Sequence, residues 1–236
     1  MSGHNKWSKI HRKKEIQDQK KGGLFTKLGR NITIAVKKGG SGDPETNFAL
    51  RLAIEKARAA NMPKDNIQRA IKRGLGKNGE GEMIELTLEG YGPEGVAVIV
   101  EAITDNRNRT VAEVKNVFDK AGGSLAEPGA VKYQFERRGL IKCGGRLSED
   151  LVLELIDFGV NDVEFEGEES FLVTEPEAVK QVVQFLRDKG IENIEVELAY
   201  LPKMEKGVEK KAVVIGFLER LREMEDVQEV YANIPS

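Results

Sequence analysis

The sequence predicts an α+β protein: a helical N-terminal domain followed by two α/β domains, one ferredoxin-like (βαββαβ) and inserted in the other. Three observations predict it. Apolar residues recur at helical spacing as far as Gly74, then at period two beyond a glycine-rich stretch. The segment 138–205 holds a complete βαββαβ series. A last helix and strand follow it and need a partner sheet to fold against.

The elements follow in order. Leu24, Leu28, Ile32 and Ala35 form a helical stripe, with Lys27, Arg30 and Lys37 expected on the opposite face as candidate phosphate contacts. Gly39-Gly40 stops that helix. Asp43-Pro44 has the form of an N-cap followed by proline at N1 and opens a helix through about Ala60. Pro63 opens another, which ends at Gly74. Gly74, Gly76, Gly79 and Gly81 mark a linker. Strands at 83–91 and 95–103 flank the turn Gly92-Pro93-Glu94-Gly95. A helix at 108–121 and a strand near 130–137 follow. The series then repeats as a strand at 139–143, a helix at 148–158, strands at 161–166 and 169–174, a helix at 176–189 and a strand at 192–201. A helix at 207–224 and a strand at 227–234 close the chain. The domains expected are 1–79, basic and helical; 80–137 plus 206–236, discontinuous; and 138–205, inserted.

Charge is sorted along the 236 residues. Residues 1–80 carry 19 Lys/Arg against 7 Asp/Glu, a net of +12, and residues 81–236 carry 18 against 32, a net of −14. One part of such a chain favours a polyanion and another repels it, which makes nucleic acid the leading partner. Cys143 is the only cysteine, so no internal disulfide or Cys-cluster metal site is available. No apolar run has membrane-spanning length, and the N-terminal cations lack the apolar stretch of a secretory signal. A cytoplasmic setting is expected.

The candidate interface begins in the N-terminal arm. Lys6, Lys9, Arg12, Lys13, Lys14, Lys20 and Lys21 each suit a phosphate. Trp7, His4 and His11 offer flat faces for stacking on unpaired bases, a habit of single strands and RNA loops more than of duplex DNA. The alternative is a solvated basic tail. Lys64, Arg69, Lys72 and Arg73 extend a phosphate-binding surface, or are an ordinary solvated helix face. Asp105 or Asn106 suits a helix cap. Arg107 and Arg109 stand beside that helix start, where two arginines can hold phosphate. A helix-turn-helix over 46–60 and 63–73 lacks a glycine turn and a cluster of base-reading side chains.

Other chemistry finds little support. Gly90-Tyr-Gly-Pro-Glu-Gly95 spells G-x-G-x-x-G, but a strand follows it where a dinucleotide site needs a helix. His4 and His11 have no further residues to complete a metal site. No nucleophile–base pair stands out, so no catalysis, cofactor or metal is expected. The acidic stretch Glu164–Glu169 reads as a solvated hairpin. The rivals are a nuclease or methyltransferase built on the acidic domains, and an adaptor docking a protein through a sheet edge.

Several blocks resemble the YebC/PmpR family: Ser2-Gly-His-Asn-Lys-Trp7, Gln17-Asp18, Leu24-Phe-Thr-Lys-Leu28, Asn61-Met-Pro-Lys-Asp-Asn-Ile67, Glu89-Gly-Tyr-Gly-Pro93, Thr104-Asp-Asn-Arg-Asn-Arg-Thr110, and Phe135-Glu-Arg137 with Gly139. The resemblance runs nearly end to end. Asn5 departs from the usual Ser, and Asn47-Phe-Ala-Leu-Arg51 from the usual Asn-Pro-Arg-Leu-Arg. It implies three domains with one α/β domain inserted in the other, and a non-enzymatic regulator of gene expression. Some members are described as DNA-binding transcriptional regulators, others as translation factors at the ribosome. Ribosomal RNA is the expected target, promoter DNA the alternative. The partner of the acidic domains is not legible.

Overall fold

The computed structural model describes residues 21–76 and 82–235. The chain divides into two compact units, one formed by 136–201 and the other by the helices before it, the first sheet and the C-terminal segment from 202.

Among the described residues three helices come first: α1 (Lys21–Gly39), α2 (Phe48–Ala59) and α3 (Lys64–Gly74). Both shorter helices pack on α1 around Leu28, Ile32, Val36, Leu50, Ile54 and Ile67. Contact between α1 and α3 is close because Gly74 has no side chain: a Cβ there would lie 2.6 Å from the Thr33 carbonyl oxygen. The cap of α2 differs from expectation. Asn47, not Asp43, accepts the Leu50 N–H at 3.1 Å, while its amide donates to the Ala35 and Ser41 carbonyls. Asp43 is drawn into a local turn instead, accepting the Glu45 N–H at 3.0 Å.

The first sheet has the order β3-β1-β2-β8 and is antiparallel. Its strands are β1 (Ile84–Tyr91), β2 (Ala97–Thr104), β3 (Ser124–Ala126) and β8 (Val227–Ala232). Helices α4 (Arg107–Lys120) and α7 (Lys211–Glu223) pack on it, with Phe118 and Phe217 in edge-to-face contact at 4.9 Å. The terminal helix and strand thus find the host sheet they need. Glu94, left-handed at φ 59° in the β1–β2 turn, accepts the N–H groups of Glu209 and Lys210 at 2.8 and 2.7 Å. It caps α7 from a distant strand turn, where no side chain of the helix does so.

The second sheet, β5-β6-β4-β7, comprises β4 (Phe135–Gly144), β5 (Val160–Glu166), β6 (Glu169–Thr174) and β7 (Glu195–Pro202), with α5 (Glu149–Asp157) and α6 (Val179–Asp188). This βαββαβ order is ferredoxin-like. The expected strand at 130–137 is corrected. Residues 127–134 form a loop that ends in a 3-10 turn at Lys132–Gln134, and one continuous strand runs from Phe135 to Gly144. The reason is Glu89, a buried residue of β1 whose carboxylate accepts the N–H groups of Gly129, Val131 and Lys132 at 2.7–2.8 Å. Those donors are then lost to a sheet ladder.

Gly90 packs against both β3 and α4: a Cβ there would meet Phe118 Cε1 and the Ser124 carbonyl oxygen, each at 2.6 Å. Gly90→Ala is expected to cost about 1–3 kcal/mol in urea unfolding, because neither backbone nor a core ring yields cheaply.

Candidate nucleic-acid interface

Of the residues the sequence nominates, His4, Lys6, Trp7, Lys9, His11, Arg12, Lys13, Lys14 and Lys20 lie outside the described residues, as does the side chain of Lys21. The rest sort into two groups, those bound within the fold and those facing solvent.

Lys27, Arg30 and Lys37 do not form the free outer face of α1 that periodicity suggests. Lys27 donates to the Arg222 carbonyl at 2.7 Å, and burial pushes its ammonium below the ordinary lysine value. Arg30 is buried. It donates to the Glu225 carbonyl at 2.6 Å and pairs with the Glu225 and Asp226 carboxylates at 2.8 and 2.7 Å. Lys37 pairs with Glu82 at 2.6 Å and donates to the Met83 carbonyl at 3.0 Å. Helix periodicity finds the apolar stripe of α1 but cannot show that a second element, the turn before β8, covers part of its other side.

Arg109 joins the same centre. Its guanidinium donates to Asp226 at 3.0 Å and to Asp105 at 3.2 Å. Asn106 is the cap of α4, accepting the Arg109 N–H at 3.1 Å. Asp226 itself, 4% exposed, also accepts from Thr104 at 3.1 Å and Thr110 at 2.5 Å. Burial works against its charge. The hydrogen bonds from Thr110 and Arg109, the Arg30 charge and the Thr104 hydroxyl outweigh it and hold the carboxyl below its ordinary value. Glu89 is held low in the same way, with three backbone donors overcoming its burial.

The second group is exposed: Arg58 at the end of α2, Lys64, Arg69 and Lys72 on α3, and Arg107 at the start of α4. None has an ion-pair partner among the described residues. On α3, Ile67, Ala70 and Ile71 are buried on one side, which leaves Lys64, Gln68, Arg69 and Lys72 on the other. Arg73, also nominated by the sequence, is half-buried with its guanidinium 3.8 Å from Asp105. The structure adds Arg58 and Gln68 to the nominated surface. Neither carries a signal of its own in the sequence, since only the turn between α2 and α3 brings them together.

Among the described residues no group of three or more His, Cys, Asp or Glu is placed to hold a metal ion. None of the described helices is long and apolar enough to cross a membrane.

The described residues thus join a helical domain with a solvent-facing cationic helix to an α/β sheet through a buried aspartate. Residues 5–77 match the family model described as the TACO1/YebC protein N-terminal domain, and residues 83–234 that of the TACO1/YebC second and third domain. The chain belongs to the TACO1/YebC family. It is 48% identical over 240 residues to a "Probable transcriptional regulatory protein" of Chloroflexus aggregans, covering 99% of this chain and 95% of that one. It is 46% identical to a protein of the same description from Borrelia turicatae, over 99% and 97% of the two chains. Its fold matches the crystal structure of a conserved hypothetical protein, Aq1575, from Aquifex aeolicus. The TM-score is 0.79 at 42% identity, over 92% of this chain and 91% of the other.

Asp226→Asn is expected to lower stability by about 2–3 kcal/mol at neutral pH, because the buried Arg30 loses a charged partner. The folded carboxyl titrates below its unfolded value, so its stabilisation is full above the ordinary carboxylate range and is lost as pH falls through it. Urea midpoints of wild type and variant should therefore converge as pH drops below about 4.

Proposed function

We propose that this chain is a non-enzymatic, nucleic-acid-binding regulator of gene expression, acting in the cytoplasm as a translation factor that contacts ribosomal RNA. Residues 1–79 form the contacting domain. Residues 80–137 with 206–236, and the insert 138–205, form the acidic body that keeps the rest of the chain off the polyanion. The observation that carries this reading is the sorting of cations. Arg58, Lys64, Arg69 and Lys72 face solvent without an ion-pair partner among the described residues, in a region of net charge +12. Exposed, unpaired cations on one domain are the electrostatic footprint of phosphate binding.

RNA is favoured over duplex DNA by residue type. The arm supplies His4, Trp7 and His11 for stacking among Lys6, Lys9, Arg12, Lys13, Lys14, Lys20 and Lys21, a composition suited to unpaired bases. Lys64, Arg69 and Arg107 extend the phosphate-binding surface. Promoter DNA is the second reading, and the descriptions of the relatives as probable transcriptional regulatory proteins favour it.

Ultraviolet crosslinking in cells, with sequencing of bound RNA and DNA, separates the two. A Lys6/Trp7/Lys9 alanine triple variant serves as control. Recovered sequence is expected to concentrate on ribosomal RNA and to fall to background in the variant. Recovery at a few promoters, with ribosomal RNA at background, contradicts the translation role.

A further inference from the structure

We infer that a groove between α2 and α3 is a pocket for one unpaired nucleotide, its base on the groove floor and its phosphates at the rim. The inference rests on the nucleic-acid reading above and assigns it a base-holding site separate from the arm.

The groove has a volume of about 330 Å³, small among ligand sites and suited to a single flat heterocycle. Its floor is apolar, made by Ile54, Met62 and Ile67, all buried. Its rim is Arg58 from the end of α2 with Lys64 and Gln68 from α3, all exposed. The turn between the helices fixes this geometry. Asn61 takes a left-handed conformation at φ 59°, and the Met62 N–H donates to the Ala57 carbonyl at 2.9 Å. Met62 is thereby folded back under the end of α2.

Each part suits one portion of a nucleotide. A base presents a flat apolar face, which packs on aliphatic side chains and on a polarisable thioether. The Gln68 amide offers both a donor and an acceptor to a base edge, and has no hydrogen-bond partner among the described residues. Arg58 and Lys64 place two positive charges at the mouth, and among the described residues no carboxylate lines the groove. That charge pattern selects an anionic occupant over a neutral or basic one. An unpaired base is the better occupant, because its Watson–Crick edge is free to meet the Gln68 amide, whereas a paired base has that edge engaged.

The test uses the full chain and a twelve-nucleotide oligouridylate carrying one 4-thiouridine. Affinity and crosslink position are measured on the same samples, the latter by peptide mapping. The crosslink is expected within residues 54–71. Arg58→Ala/Gln68→Ala should weaken binding about tenfold and remove that crosslink. Lys72→Ala, which lies outside the groove, should weaken binding yet leave the crosslink in place. An unchanged urea midpoint shows that each variant is folded. Crosslinks confined to other segments, with normal affinity, overturn the pocket and leave the proposed function standing. Absence of affinity for any RNA or DNA overturns both.

Discussion

The buried carboxylate of Asp226 is the interaction on which the larger unit depends. It takes hydrogen bonds from Thr104 at the end of β2 and from Thr110 and Arg109 in α4, and an ion pair from Arg30 in α1. An ionised carboxylate so nearly excluded from water is tolerated only with several donors and a counter-charge, and here it has both. Its backbone carbonyl also accepts the Ile103 N–H at 2.8 Å, continuing the β2–β8 pairing past a bulge. Helix, sheet and C-terminal strand therefore meet at one side chain. Ile34, Met83 and Ile103 pack into a small apolar cluster that joins α1 to the same sheet. The polar centre fixes where α1 docks, and this cluster supplies dry contact.

Internal use of carboxylates changes the meaning of the acidic balance beyond residue 81. Part of that charge organises backbone rather than repelling a polyanion. Glu89 gathers three N–H groups of a loop, and Glu94 caps a helix from a distant strand turn. Cations divide in the same manner. Lys27, Arg30, Lys37 and Arg109 hold elements together, whereas Arg58, Lys64, Arg69 and Lys72 form no ion pair among the described residues. Net charge by segment describes long-range attraction, but only the structure shows which charges are left to act outside the molecule.

Much of the architecture is legible in the sequence because the signals are local. Apolar periodicity finds α1, proline and cap signals place α2 and α3 among the described residues, and the switch to period two finds both sheets. The surplus helix and strand at the C-terminus imply the insertion. What fails to show depends on contacts distant in sequence. Arg30 and Asp226 are 196 positions apart, so α1 looks two-sided in the sequence and is clamped in the structure. The loop at 127–134 reads as a strand because the residue that takes its N–H groups, Glu89, lies on another strand. Asn47 outcompetes Asp43 as a cap because its amide also reaches the Ala35 carbonyl across the helix turn. The candidate surface is legible in Lys64, Arg69 and Arg107. Arg58 and Gln68 are not, since one turn with a left-handed Asn61 puts them beside the others.

The most direct test of the division between structural and external cations is the salt dependence of RNA affinity. For wild type, Lys64→Ala/Arg69→Ala/Lys72→Ala and Lys37→Ala/Lys38→Ala, the slope of log affinity against log salt counts the phosphates neutralised. The triple variant should lower the slope by about 2, at roughly 0.7 per contact on a single strand. The Lys37/Lys38 variant, whose lysines pair with Glu82 and Glu85, should leave it unchanged. Equal reductions in both variants would contradict the division, and an unchanged slope in the triple variant would remove α3 from the interface.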